Sequence, residues 1–109
     1  MSITLFAYLD AAPSLEEMRA TLTSLDLVYR HTLPADDRWD YPMHVFGRAE
    51  MRVVYHAGAA PRGEALVDCT IAQDTHQAYV AVHMLLSTLI RHYGGTICDP
   101  REVHRGAVL

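Results

Sequence analysis

Apolar and polar positions recur along this chain with two different periods, and the points where the period changes divide it into elements. From Ile3 to Leu9 the period is two. Ile3, Leu5, Ala7 and Leu9 point one way and Phe6 and Tyr8 the other, which predicts a strand covered on both sides and central in its sheet. Pro13 and Ser14 then open a helix: Ser14 and Glu17 have the capping-box spacing, and Leu15, Met18, Leu22 and Leu25 follow at three- and four-residue intervals. Residues 27–33, LVYRHTL, read as a β-branched and aromatic strand that stops at Pro34. After Pro42, Val45, Gly47, Ala49, Met51, Val53 and Tyr55 alternate with His44, Phe46, Arg48, Glu50, Arg52 and His56, one face apolar and the other mostly charged. One long strand and a hairpin both fit this run, with Gly47 marking a bulge or tight turn if it divides. The turn AGAAPRGE leads to a strand with Ala65, Val67, Cys69 and Ile71 inward.

The longest apolar run, DTHQAYVAVHMLLSTLIRHYGG from Asp74 to Gly95, has helical period. Asp74 is placed as its N-cap with Gln77 completing a capping box, and Gly94 and Gly95 terminate it after Arg91 and His92. Tyr79, Val82, His83, Leu86, Ile90 and Tyr93 form the predicted core stripe, widened on one side by Ala78, Leu85 and Leu89. The opposite side holds Val80, Ala81 and Met84, more apolar than a solvated face requires. A short strand, Thr96-Ile97-Cys98, ends at Asp99-Pro100, and the tail REVHRGAVL either adds an edge strand or frays.

Strand, helix, two or three strands, helix, strand is the order of an α+β two-layer sandwich: a mainly antiparallel sheet with both helices on one face, ferredoxin-like with an extra strand. Residues 1–109 are expected to form one domain. The chain starts without a positively charged signal region, and its longest apolar run, broken by His83, Arg91 and His92, is a poor membrane span, so a cytoplasmic protein away from membranes is expected. Cys69 and Cys98 lack CxxC spacing and read as reduced thiols. All nine cationic residues are arginine, yet the net charge is −4 and no basic run occurs, which argues against nucleic acid as a partner.

Chemistry motifs are missing from the sequence. The seven histidines, His31, His44, His56, His76, His83, His92 and His104, include no pair three, four or five apart, so no local metal clamp exists and neither metal nor cofactor is expected. His44 and His56 share the charged face in this reading, and a long-range set with Glu50 or Asp68 is the remaining route to a metal site. His83 falls within the core stripe, where a packed ring satisfied by one hydrogen bond is the simplest role. No nucleophile motif occurs, and Cys69 sits inward, where burial raises a thiol pKa; no catalytic residue is assigned.

The segment Asp36-Asp37-Arg38-Trp39-Asp40-Tyr41 stands apart. It sets the only tryptophan and a tyrosine among three carboxylates and an arginine, the residue types that anchor interfaces and steer basic partners. Trp39 closing the open end of the sheet is the competing role. The apolar helix LLSTLIRHYGG running into the strand TICDP, between Val80 and Arg101, resembles a pattern in bacterial immunity proteins that neutralise polymorphic toxins. The resemblance implies a cytoplasmic protein that binds a cognate, basic toxin domain and occludes its active site; it assigns no catalytic residue. Two other classes stay open. In one, a small ferredoxin-like enzyme or ligand sensor uses Arg48, Glu50, Arg52 and His56 to line a pocket on the sheet face away from the helices. In the other, a homodimer or larger oligomer buries Val80, Met84 or that sheet face against a second copy.

Overall fold

The two periods become a six-stranded antiparallel sheet with two helices packed on one side of it. The computed structural model describes residues 2–37, 40–57 and 65–99. Arg38, Trp39, His104, most of the turn after Ala57 and the C-terminal tail lie outside them.

Strand β1 (Ile3–Leu9) is followed by α1 (Leu15–Thr23), β2 (Val28–Leu33), β3 (Met43–Arg48), β4 (Met51–Ala57), β5 (Ala65–Ile71), α2 (His76–Tyr93) and β6 (Gly95–Cys98). The sheet order is β2-β3-β4-β5-β1-β6. Four strands separate the helices, where two or three were expected, because residues 43–57 form a hairpin. Its turn is at Ala49 and Glu50, with Ala49 at φ 43°; Gly47 stays inside β3. In β2 the register shifts between Tyr29 and His31, a bulge on that edge strand. Strand β1 has neighbours on both edges, but its sides differ: Leu5, Ala7 and Leu9 are fully buried, whereas Phe6 is half-buried and Tyr8 is exposed. The helices cover only one of them.

Both helices begin on a side-chain cap. Ser14 accepts from the Glu17 amide as its spacing predicts. In α2 the cap is Thr75, whose Oγ1 accepts from the Ala78 amide at 3.1 Å, so Asp74 lies one position outside the expected role. Gly94, at φ 74°, closes α2 as read. The stripe of α2 is centred on Ala78, Val82, Leu85, Leu86 and Leu89, with Tyr79, His83, Ile90 and Tyr93 at its margins. The polar tips explain the rotation: Tyr79 donates to Asp99, Tyr93 shares a hydrogen bond with Thr21 of α1, and His83 bonds Ser87. Rings with a polar end settle where one end is dry and the other finds a partner. Among the described residues no helix is long and apolar enough to cross a membrane.

The core lies between sheet and helices and takes Leu5, Leu9, Met18, Leu22, Phe46, Val53, Tyr55, Val67, Leu86 and Leu89, all fully buried. Cys69 belongs to it, and burial pushes its thiol up to about 12. His44 also points to the helix side, buried, its Nδ1 hydrogen-bonded to Thr32 Oγ1 at 2.8 Å. Desolvation lowers its pKa below the ordinary 6.5. A histidine with a lowered folded pKa takes up its proton more readily in the unfolded chain, so its stabilising contribution is complete above 6.5 and shrinks as pH falls from there towards the folded pKa. Denaturant melts across that window should therefore show acid destabilisation that is reduced in His44→Asn, which keeps an acceptor near Thr32 but does not titrate.

Candidate functional site

The side of the sheet away from the helices carries the strongest departure from an ordinary surface. Strand register places its side chains in rows that cross the sheet. One row reads Leu33, Met43, His56, Leu66, Tyr8 and Thr96, from β2 to β6. The next reads His31, Val45, Val54, Asp68, Phe6 and Cys98. A third, running Val28, Gly47, Arg52, Thr70 and Thr4, is more polar, and the Thr4 and Thr70 hydroxyls are hydrogen-bonded at 2.8 Å. Among the described residues no helix covers these rows. Leu33 and Tyr8 are each 44% exposed, while Val45 and Val54 are shielded by their neighbours.

The centre of the face holds a hydrogen-bonded histidine–aspartate pair. His56 lies between Met43 and Leu66 in its row, and Asp68 lies between Val54 and Phe6 in the next. His56 Nε2 donates to Asp68 Oδ2 at 2.7 Å, with the two side chains only 12% and 14% exposed. The other polar atom of each, His56 Nδ1 and Asp68 Oδ1, is buried and has no hydrogen-bond partner among the described residues. Leaving such an atom unpaired costs about 1–3 kcal/mol, so an apolar pair of similar shape would serve stability better here. An imidazole oriented by a carboxylate is half of an acid–base device, but among the described residues no hydroxyl or thiol bonds the ring's second nitrogen.

Around this face the residues expected from the sequence fall as follows. Asp36, Asp37 and Asp40 are exposed and Tyr41 is half-buried; Arg38 and Trp39 are outside the described residues. Tyr41 sets its ring edge-on to His56, 5.8 Å between centroids, which puts Tyr41 at the border of the uncovered face. Arg48, Glu50, Arg52 and His56 do not line one pocket. Arg52 and His56 are on the uncovered side, whereas Arg48 points to the helix side and donates to the Leu25 carbonyl at 2.7 Å. Glu50 is in the hairpin turn and accepts from Gln73. Arg48 and Glu50 border instead a cleft of about 340 Å³ beside the first half of α2. His44 and His56 likewise lie on opposite sides of the sheet. Among the described residues no three His, Cys, Asp or Glu side chains converge as metal ligands.

Phe6, Tyr8, Val54 and Leu66 went unassigned in the sequence reading, although the Phe6–Tyr8 alternation signalled an apolar second face. A separate groove of about 690 Å³ runs between α2 and the β6 edge, lined by Met84, Ser87, Ile90, Arg91 and Ile97. It includes the apolar helix side noted from the sequence but none of the titratable pair. No family model matches the chain, and no curated protein matches it closely enough to count as a relative.

Proposed function

We propose that this chain is a protein-binding module that grips a basic partner with the uncovered sheet face, the acidic segment around Tyr41 forming its rim. One observation carries the reading: around the central His56–Asp68 pair, Leu33, Met43, Leu66 and Tyr8 in one row and Val45, Val54 and Phe6 in the next are apolar, with both helices packed on the other side. A contiguous apolar surface of this kind is the mark of an interaction site, since scattered apolar residues suffice for an ordinary surface. Charge complementarity supports the choice of partner: Asp36, Asp37 and Asp40 are exposed shortly before Tyr41 in a chain of net charge −4. The biological role that fits best is that of an immunity protein, acting in the cytoplasm by covering the active site of a cognate toxin. The resemblance in the Val80–Arg101 segment supports this role, and no relative is available to transfer another.

The test uses a partner recovered with the chain from its native cells. Tyr8→Arg and Leu33→Arg, far apart in one exposed row, should each weaken binding by about 30-fold or more, as expected when a positive charge replaces an interface anchor. Melting should barely change. Met84→Arg, on the helix side, should leave affinity intact. A partner that tolerates both sheet-face changes and is lost with Met84→Arg would refute the proposal. Growth of cells expressing that partner, restored by the wild-type chain but not by Tyr8→Arg, would distinguish neutralisation from binding alone.

A further inference from the structure

The polar row of the uncovered face brings together two arginines to which the described residues offer no acid. Arg52 stands in that row, with Gly47 on one side of it and Thr70 on the other. Arg30 reaches the same row from β2. It lies at the register shift between Tyr29 and His31, and bulges of this kind re-aim a side chain. Here the side chain is laid across Gly47: Arg30 Nε is 3.5 Å, and Cγ 3.9 Å, from where a Cβ on that glycine would stand. Gly47 and Arg52 are directly paired, and side chains so related start about 4.5–5.5 Å apart. The two guanidinium groups are thus within reach of one small ligand. Both arginines are exposed, and among the described residues neither has a hydrogen bond or an ion pair. The carboxylates nearest along these strands are engaged, Asp68 with His56 and Glu50 with Gln73. A chain with 13 acidic residues against nine arginines has set two of its cations together without one.

We infer that Arg30 and Arg52 form a binding site for a phosphate group, free or carried on a small ester. The site adjoins the apolar rows but does not rest on the protein-binding reading. Charge and donor count select the ligand. One guanidinium fork satisfies the two oxygens of a carboxylate, whereas two forks from different strands suit an anion with more oxygens and more charge. A phosphate monoester has three terminal oxygens and about −1.5 to −2 charges near neutral pH. The guanidinium is also the cation whose planar donors match phosphate best. The row supplies a further donor beside Arg52. Thr70 and Thr4 share one hydrogen bond, so whichever hydroxyl accepts it keeps its own proton to give. Gly47 contributes by having no side chain, which leaves open the strip of sheet that Arg30 crosses. Desolvation is slight because both side chains are exposed, so binding is expected to weaken as salt is raised.

The test uses the free protein, followed by proton–nitrogen NMR of the arginine Nε groups and the Thr70 amide. Inorganic phosphate, glycerol phosphate and acetate are titrated separately at constant ionic strength and neutral pH. Expected are saturable shifts at Arg30, Arg52 and Thr70 with one or both phosphate compounds and none with acetate. Saturation at lower concentration by glycerol phosphate would identify an ester as the ligand, and the reverse order free phosphate. Arg30→Gln and Arg52→Gln should each weaken the response about tenfold or more while melting is unchanged. Arg19→Gln, which removes the same charge from α1 on the helix side, should leave it intact. Absence of a saturable response to both phosphate compounds overturns the inference. So does an equal response to acetate, a response that survives in Arg52→Gln, or an equal loss in Arg19→Gln.

Discussion

Leu86→Ala should leave a protein that melts far below the wild type. Leu86 is fully buried near the middle of α2 and belongs to the core shared by sheet and helices. Truncating such a leucine removes its transfer free energy and leaves a cavity that the neighbours fill only in part, a loss of about 2–5 kcal/mol. Against a total stability of about 5–15 kcal/mol for a domain of this kind, the variant is severely weakened. Met84→Ala, two residues earlier in the same helix but 63% exposed, should change stability by no more than about 0.5 kcal/mol. Chemical denaturation of both variants checks the orientation of α2. Equal losses would mean that the buried side has been misplaced.

Gly95→Ala is expected to be comparably damaging for a different reason. Gly95 has φ 139°, a conformation that L side chains rarely adopt, and it is the residue through which β6 joins β1 opposite Leu9. A methyl group built there would stand 2.1 Å from the Tyr8 carbonyl oxygen, which is backbone and cannot rotate away. The backbone conformation alone costs about 1–3 kcal/mol for a residue other than glycine. Forcing the strands apart adds a similar amount, about 1–3 kcal/mol. The start of β6 should separate from β1, so amide exchange at Ile97 and Leu9 should speed up before the rest of the sheet responds. Gly47→Ala is the matched control: the new methyl meets Arg30 and Met51 at 3.5 Å, an ordinary contact, and stability should be nearly unchanged. A Gly95→Ala protein as stable as Gly47→Ala would show that the close approach of β6 to β1 does not hold.

What the sequence disclosed and what it concealed follow from how local each signal is. The Ser14–Glu17 cap, the Gly94 stop and the inward faces of β1 and β5 depend on residues a few positions apart, and all were legible. The start of α2 was ambiguous because Asp74 and Thr75 both have capping side chains; the extended backbone of Thr75, φ −123° and ψ 160°, selects the second. The hairpin misled more seriously. Its two-residue turn pairs Arg48 with Met51 and Val45 with Val54, so odd-numbered residues face the open side in β3 and the core in β4. An unbroken alternation through residues 43–56 therefore looks like one two-faced strand while its faces exchange at the turn. That exchange separates Arg48 from Arg52 and His44 from His56, the pairs that the sequence had put together. It also concealed the His56–Asp68 contact, which depends on the pairing of β4 with β5 and thus on long-range register that periodicity does not encode.

The bulge between Tyr29 and His31 bears on how this protein behaves when crowded. An open sheet has two margins where backbone amides and carbonyls lack strand partners, and a straight margin is a template on which further copies stack into fibrils. On the β2 margin the extra residue puts those groups out of step with any regular incoming strand and increases the local twist. On the other margin, β6 offers only four residues among those described, shorter than the usual strand. Sideways polymerisation is thus discouraged at both ends of the sheet. A chain can then leave one side of its sheet without a helix over it while resisting the amyloid-like growth to which exposed β-structure is prone.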